Sequence, residues 1–209
     1  MTNRPITSSI IRAGLIIFVS ASTIGYANDP DLITPASATS ASAFSGRVIS
    51  RTIDGSALSG LGLTSDVPSE THAVNSGTTG YWLSDTVAAG TEWMQFSLST
   101  PHNVDGIHQW LYTRGGETDR GLRTFDIHFS VDNGATFPVT INAATLGDFT
   151  QPGASALPAQ TKGFTMQKGV TDIRIDNLVN FGDGIYQGLS EIRFRGIPTP
   201  NSGIIFMVR

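Results

Sequence analysis

Alternating apolar and polar residues mark several short segments of the chain. In residues 93–98, Met94, Phe96 and Leu98 fall on one side and polar residues separate them. A period of two is typical of a β-strand that buries one face. Residues 104–113 carry bulky side chains on both faces, which predicts a strand in the middle of its sheet.

A hairpin is predicted over residues 125–141. The segments 125–131 and 137–141 both alternate, and Asp132-Asn133-Gly134 lies between them. Asn and Gly tolerate the positive φ angles that tight turns between antiparallel strands need. The two segments are therefore expected to pair with each other.

The last alternating segment, residues 191–195, predicts a closing strand. Ile192 and Phe194 form its apolar side and are expected to face the core. The polar residues of this strand are expected to face outward: Glu191, Arg193 and Arg195.

The fold predicted from these segments is an all-β jelly-roll sandwich of about eight strands. Beyond the N-terminal region, no segment shows a sustained helical period of apolar residues. The chain has 23 glycines, and only 14% of its residues are charged. Short strands separated by glycine-rich turns are typical of a sandwich or a jelly roll.

Composition and motifs exclude several functions. The chain has no cysteine, so disulfides, thiol catalysis and thiolate metal sites are ruled out. A formal net charge of −4 argues against nucleic-acid binding, which needs a clustered basic face. The sequence contains neither a GxSxG nor an HExxH motif. We therefore predict that the protein is not an enzyme.

The N-terminal region predicts export. Arg4 and Arg12 precede a short apolar stretch, residues 13–20, and small residues lead up to Ala27. This pattern is typical of a signal peptide over residues 1–27, with the mature chain extracellular or in the cell envelope. Residues 28–43 are rich in Ala, Ser and Thr, and are either a linker or an irregular first strand.

Several motifs occur in a fixed order: IDGSALSG, GYWLS, WMQFSLS, NVDGIHQWLYT, TDRGLRTFDIHFSVDNGATF and GDGIYQGLSEIRFRG. Together they resemble the galactose-binding-like jelly roll of discoidin or coagulation-factor type C domains, in the version carried by exported bacterial proteins with a PEP-CTERM sorting signal. The resemblance implies one such domain over residues 44–197. Residues 198–209 resemble a truncated or degenerate PEP-CTERM tail. Its apolar part is far too short to span a bilayer, so membrane anchoring is not expected.

The resemblance also implies a structural calcium ion. Domains of this kind hold calcium where the first loop meets the last strand, which corresponds to Asp54 and Glu191 here. Carboxylates and backbone carbonyls are the oxygen ligands that calcium prefers. The alternative is that Asp54 forms a hydrogen-bonded turn and that Glu191 pairs with an arginine.

Aromatic and planar polar residues on loops are the candidates for ligand contact. An aromatic ring covers the apolar face of a sugar, and guanidinium groups bind its hydroxyls. Arg120 has a structural alternative, which is pairing with Glu117 or Asp119. Asp183, within Gly-Asp-Gly, is either a turn residue or a ligand-binding one. The predicted ligand-binding residues are Tyr112, Arg114, Arg120 and Tyr186.

The predicted function is an exported, non-catalytic module that binds an extracellular or cell-surface carbohydrate. A second hypothesis is a structural, matrix or envelope protein that acts through protein–protein contacts, which the Pro198-Thr199-Pro200 tail favours. A third is a glycan hydrolase, for which the sequence singles out no carboxylate pair.

Overall fold

The computed structural model describes residues 31–59, 69–73, 80–85 and 91–200. The predicted signal peptide and residues 201–209 of the tail lie outside this part. No helix in the described ranges is long and apolar enough to cross a membrane. The described strands are β1 (Asp31–Ile33), β2 (Ser37–Ser40), β3 (Trp82–Leu83), β4 (Met94–Leu111), β5 (Leu122–Ser130), β6 (Val139–Ile141), β7 (Gln160–Asn180) and β8 (Gly188–Pro198).

Short helices connect some of these strands. Among the described residues, 3-10 helices cover Ile49–Thr52, Arg114–Gly116 and Thr118–Arg120. A one-turn α-helix, α1 (Ala143–Leu146), follows β6. It begins at Asn142, whose side chain accepts a hydrogen bond from the Thr145 N–H at 3.0 Å.

Two long strands, β4 and β7, run through both layers of a sandwich. Residues 94–97 of β4 pair with residues 172–175 of β7, and after a register shift residues 106–109 pair with 160–163. The early part of β4 also pairs with β2, and its late part pairs with β8. β5 pairs with the late part of β7 and with β6. All these pairs are antiparallel, and β4 is central, as its two bulky faces predict.

Aromatic contacts show that the two layers face each other. The rings of Phe96 on β4 and Phe194 on β8 meet edge-on, with centroids 5.7 Å apart. The rings of Phe129 on β5 and Phe164 on β7 lie 5.5 Å apart. Phe96, Phe129 and Phe194 are at most 2% exposed. The architecture is therefore the predicted all-β jelly-roll sandwich.

The predicted hairpin is also present. Ile127 of β5 lies opposite Ile141 of β6, and Phe129 lies opposite Val139. In the turn, Asn133 and Gly134 both have positive φ, at 58° and 78°. Asn and Gly, which favour positive φ angles, therefore occupy the two positions of the turn that adopt them.

The predicted outward orientation of the polar residues of β8 is wrong for two of them. Glu191 is 0% exposed and Arg193 is 1% exposed. Both lie beneath the segment that includes the 3-10 helix Ile49–Thr52, since the Arg193 guanidinium donates to the Thr52 carbonyl and the Gly55 N–H donates to Glu191. β8 therefore has a covered face on both sides.

The loops gather at one end of the sandwich. β4 ends and β8 begins there, with Leu111 opposite Leu189. β5 begins and β7 ends at the same place, with Leu122 opposite Asn180. A bridge between Gly121 and Gly188 joins the two sides. We call this region the open end.

Candidate functional site

Two loops of the open end are held together by Arg120, Asp183 and Tyr186. The Nε of Arg120 donates to Asp183 Oδ2 at 3.0 Å. The same guanidinium group lies 4.9 Å from the centroid of the Tyr186 ring, which is a cation–π distance. Residues 112–121 supply the arginine and residues 181–187 supply its partners, so this contact joins the two loops.

Glu117 extends the cluster to Arg114. Its Oε2 accepts a hydrogen bond from Arg120 and lies 3.4 Å from Nη1 of Arg114. The predicted pairing of Arg120 with Glu117 is therefore observed, and Asp183 is a further partner. Burial alone would lower the pKa of Arg120, but its bond to Asp183 and the neighbouring Tyr112 and Glu117 raise it above its ordinary value.

Asp183 forms the turn that positions Tyr186. Its Oδ1 accepts the N–H groups of Ile185 at 2.8 Å and Tyr186 at 2.7 Å. Asn180 Nδ2 donates to the carbonyls of Asp183 and Tyr186, both at 2.7 Å. Although partial burial acts to raise it, the pKa of Asp183 is lowered by these N–H groups and by Arg120. Asp183 is thus a charged turn residue that also fixes Arg120.

A cavity of about 150 Å³ opens beside this cluster. Ile185 at its edge is 52% exposed and provides apolar surface. The cavity is lined by Leu178, Val179, Asn180, Asp183, Gly184, Ile185, Tyr186 and Gln187. Apolar surface therefore lies next to amide, carboxylate and hydroxyl groups.

Tyr112 is a neighbour of Arg120 but is buried, which corrects its prediction as a residue that contacts the ligand directly. It is 0% exposed, and its ring meets Tyr81 edge-on with centroids 5.0 Å apart. Gly188 approaches so closely that an added Cβ would lie 2.5 Å from the Tyr112 ring. Burial raises the pKa of the Tyr112 hydroxyl. Tyr112 is therefore a core residue in a cluster with Tyr81 and Leu83, against which Phe44 and Tyr186 pack.

The structure shows the alternative to calcium binding: Asp54 forms a hydrogen-bonded turn, and Glu191 pairs with an arginine. Asp54 Oδ1 accepts the Ser56 N–H at 2.9 Å, and its Oδ2 lies 3.5 Å from Arg51. Glu191 Oε1 accepts hydrogen bonds from Arg193 and from the Gly55 N–H. Burial raises the pKa of Glu191 to about 7, against the opposing effect of Arg193. With a guanidinium group on this carboxylate, the residues as arranged do not fit a calcium ion.

A different group of side chains could hold a metal ion. The donor atoms of Asp126, His128 and Asp176 all lie within 4.8 Å of one another on β5 and β7. Without an ion, His128 Nε2 is 2.8 Å from Asp176 Oδ1, and its Nδ1 is 2.8 Å from Thr140 Oγ1. The positions of Asp126 and His128 on one face of a strand are visible in the sequence, but the approach of Asp176 is not.

A second cavity, of about 240 Å³, lies next to this group, and Asp176 belongs to both. The guanidinium group of Arg174 is 4.6 Å from the ring of Trp93 at its border. The cavity is lined by Thr91, Glu92, Trp93, Arg174, Asp176 and Asn177. None of the predicted ligand-binding residues lies among them.

Two solved structures with the same fold are carbohydrate-binding modules. A fucose binding module from Streptococcus pneumoniae superposes with a TM-score of 0.53 at 17% identity, over 79% of this chain and 94% of the module. A family 32 module from C. perfringens NanJ, in complex with galactose, gives 0.51 at 15% identity, over 79% and 98%. The fold is that of the galactose-binding-like jelly roll. No family model and no curated protein matches the sequence.

Within this jelly roll, the structure brings together three of the four predicted ligand-binding residues. Arg114, Arg120 and Tyr186 meet at the open end, and Tyr112 lies beneath them. Sequence reasoning missed the role of Asn180, which holds the loop of Tyr186. The only signal for Asn180 is its position where a strand meets a glycine-rich loop.

We expect the galactose-binding-like jelly roll to lose stability in mild acid because of His108. The ring is 5% exposed, and burial, with the nearby Arg195, lowers its pKa from 6.5 to about 4. The unfolded chain therefore binds more protons than the folded one between these values, and stability falls as pH falls through this window. The expected loss is about 1–3 kcal/mol.

Unfolding of wild type and His108→Gln from pH 7 to pH 4 measures this loss. The variant should show a flatter profile, because glutamine does not titrate. His102→Gln, on the same strand, is the control and should follow wild type. Parallel profiles for wild type and His108→Gln would exclude His108 as the cause.

Proposed function

We propose that the protein is an exported, non-catalytic carbohydrate-binding module that holds its ligand at the open end. The observation that carries the proposal is the Arg120 contact, in which one guanidinium group joins Tyr186 and Asp183 beside a cavity. The two similar structures described above are a fucose binding module and a module in complex with galactose, which supports a saccharide ligand here. Export rests on the signal-peptide pattern of residues 1–27.

The chemistry of the site suits a sugar. The exposed side chain of Ile185 and the edge of Tyr186 offer apolar surface to the C–H groups of a pyranose ring. The carboxylate of Asp183 and the amide oxygen of Asn180 can accept hydrogen bonds from sugar hydroxyls, while both N–H groups of Asn180 donate within the loop. Arg120 adds charged donors. These groups are fixed by their mutual bonds, so little conformational entropy is lost on binding.

The size of the cavity favours one terminal sugar unit. Its volume of about 150 Å³ is below the roughly 300–1,000 Å³ that is usual for pockets of drug-sized ligands. A single ring at the end of a glycan fits this space better than an internal segment of a chain. We therefore infer that the ligand is a terminal residue of an extracellular or cell-surface glycan.

The charge state of the site supports binding rather than hydrolysis. Glycoside hydrolysis needs one carboxylic acid with a raised pKa beside a carboxylate. Both carboxylates of the cluster, Glu117 and Asp183, are bound by Arg120, and the pKa of Asp183 is lowered. Asp183 is therefore not prepared to donate a proton near neutral pH.

A glycan array with the mature chain tests this proposal. We expect binding to glycans with an exposed terminal sugar, and at least a tenfold weaker signal for Arg120→Ala, which corresponds to about 1.4 kcal/mol. Arg123→Ala is the matched control, since Arg123 pairs with Asp148 at 3.7 Å, whereas Arg120 bonds to Asp183 in the lining of the cavity. No binding across neutral and acidic glycans would overturn the proposal, as would equal binding by both variants.

A further inference from the structure

Glu191 and Arg193 form an ion pair that is almost completely shielded from water. Their side chains are 0% and 1% exposed, and both point to the covered face of β8. A buried carboxylate without compensation is strongly destabilising, so this cluster needs a positive charge. The identity of that charge decides whether the domain depends on a metal ion.

Oxygen atoms converge on one nitrogen of Arg193. Its Nη1 donates to Glu191 Oε1, to the Ile192 carbonyl at 2.7 Å and to the Thr52 carbonyl at 3.4 Å. One carboxylate and two backbone carbonyls are an oxygen donor set of the kind that a hard divalent cation takes from proteins. Here a guanidinium nitrogen lies at the point where these oxygens meet.

The same contacts join two distant parts of the chain. Thr52 ends a 3-10 helix, and the Gly55 N–H donates to Glu191 Oε1 at 3.3 Å. The turn at Asp54–Ser56 is thereby fixed to β8 through Glu191 and Arg193. This linkage of a first loop to the last strand is a structural task that a bound cation can perform.

We infer that Arg193 is a built-in cation that takes the place of a divalent metal ion in this domain. The charges balance without a metal, because Arg193 compensates Glu191 and Arg51 lies beside Asp54. A divalent ion added to this cluster would place four positive charges, including those of Arg51 and Arg193, against two carboxylates, within a space that the guanidinium group already fills. Arg193 and a metal ion are therefore mutually exclusive at these oxygens.

Removal of Arg193 is expected to open the site to calcium. The melting temperature of the full mature chain is measured at alkaline pH, above the pKa of Glu191, in chelator and in millimolar calcium. Wild type should melt at the same temperature in both. Arg193→Gln should melt roughly 6–20 °C lower in chelator, since it leaves Glu191 buried without a partner, and calcium should restore part of that loss.

Two further variants keep the test decisive. Arg195→Gln is the matched control, because Arg195 is on the same strand but pairs with Asp105 at 2.7 Å and is one-third exposed. Its melting temperature should not respond to calcium. If Arg193→Gln does not fold, Arg193→Lys tests whether a positive charge at this position is sufficient. This variant keeps the charge and should fold without calcium.

Three outcomes would overturn the inference. The first is a wild-type melting temperature that rises in calcium and falls in chelator. The second is an Arg193→Gln variant that melts like wild type, or that calcium fails to restore. The third is an Arg193→Lys variant that folds only when calcium is present.

Discussion

Replacement of Glu191 by alanine is expected to lower the free energy of unfolding by about 3–5 kcal/mol, because it leaves the Arg193 guanidinium group buried and uncompensated. The carboxylate is 0% exposed and also accepts the Gly55 N–H, so the change removes two bonds at once. Equilibrium unfolding in denaturant measures the loss. We expect the midpoint to fall without a change of fold.

An exposed ion pair from the same region is the control. Arg51 and Asp54 lie 3.5 Å apart with side chains 40% and 32% exposed. Exposed pairs contribute about 0–1 kcal/mol, so Arg51→Ala should have a small effect. The double variant Glu191→Leu/Arg193→Met should lose less stability than Glu191→Ala, since it leaves no unpaired charge. Equal losses for Glu191→Ala and Arg51→Ala would contradict the structural role of the buried pair.

Replacement of Tyr112 by alanine is expected to cost about 3–5 kcal/mol of unfolding free energy, as for other large aromatic residues in cores. The side chain is 0% exposed and packs on Tyr81 and Gly188. Tyr112→Phe keeps this packing and should cost less than about 1 kcal/mol. Unfolding in denaturant separates the two variants.

Ligand binding by Tyr112→Phe distinguishes a core residue from a ligand-binding one. The variant should bind glycans as wild type does, because the Tyr112 hydroxyl is buried. Glycan binding by Tyr186→Phe is the comparison, because Tyr186 lines the cavity. A loss of glycan binding in Tyr112→Phe, with unchanged stability, would show that Tyr112 takes part in ligand binding.

The local pattern of apolar and polar residues was sufficient to predict the strands and the hairpin. The alternation of residues 125–131 and 137–141, together with Asn133-Gly134, identified a turn whose φ angles depend on a few adjacent residues. The central position of β4 followed from bulk on both faces, since only a strand covered on each side buries both. These features depend on residues close together in the chain.

Features that depend on distant residues could not be predicted. Glu191 has the outward phase of its strand, yet it is buried because a segment 136 residues away covers it. Tyr112 follows a strand into a polar loop, and only the approach of Tyr81 and Gly188 shows that it belongs to the core. A single sequence contains no record of which distant segment covers which face.

The candidate site was also only partly predictable from the sequence. Arg120 and Tyr186 stand out individually, because an arginine and a tyrosine occur in glycine-containing loops. Their meeting depends on the bond from Arg120 to Asp183, which lies 63 residues further along the chain. The sequence therefore indicates the residue types of a ligand site, and the fold determines which of them act together.

A crystal structure of the mature chain with the glycan that binds most strongly on the array is the most direct test of carbohydrate binding at the open end. We expect the terminal sugar to lie in the cavity there, within hydrogen-bond distance of Asp183, Asn180 or Arg120 and against Ile185 or Tyr186. A sugar in the cavity beside Trp93 and Arg174, or at any other surface, would contradict it.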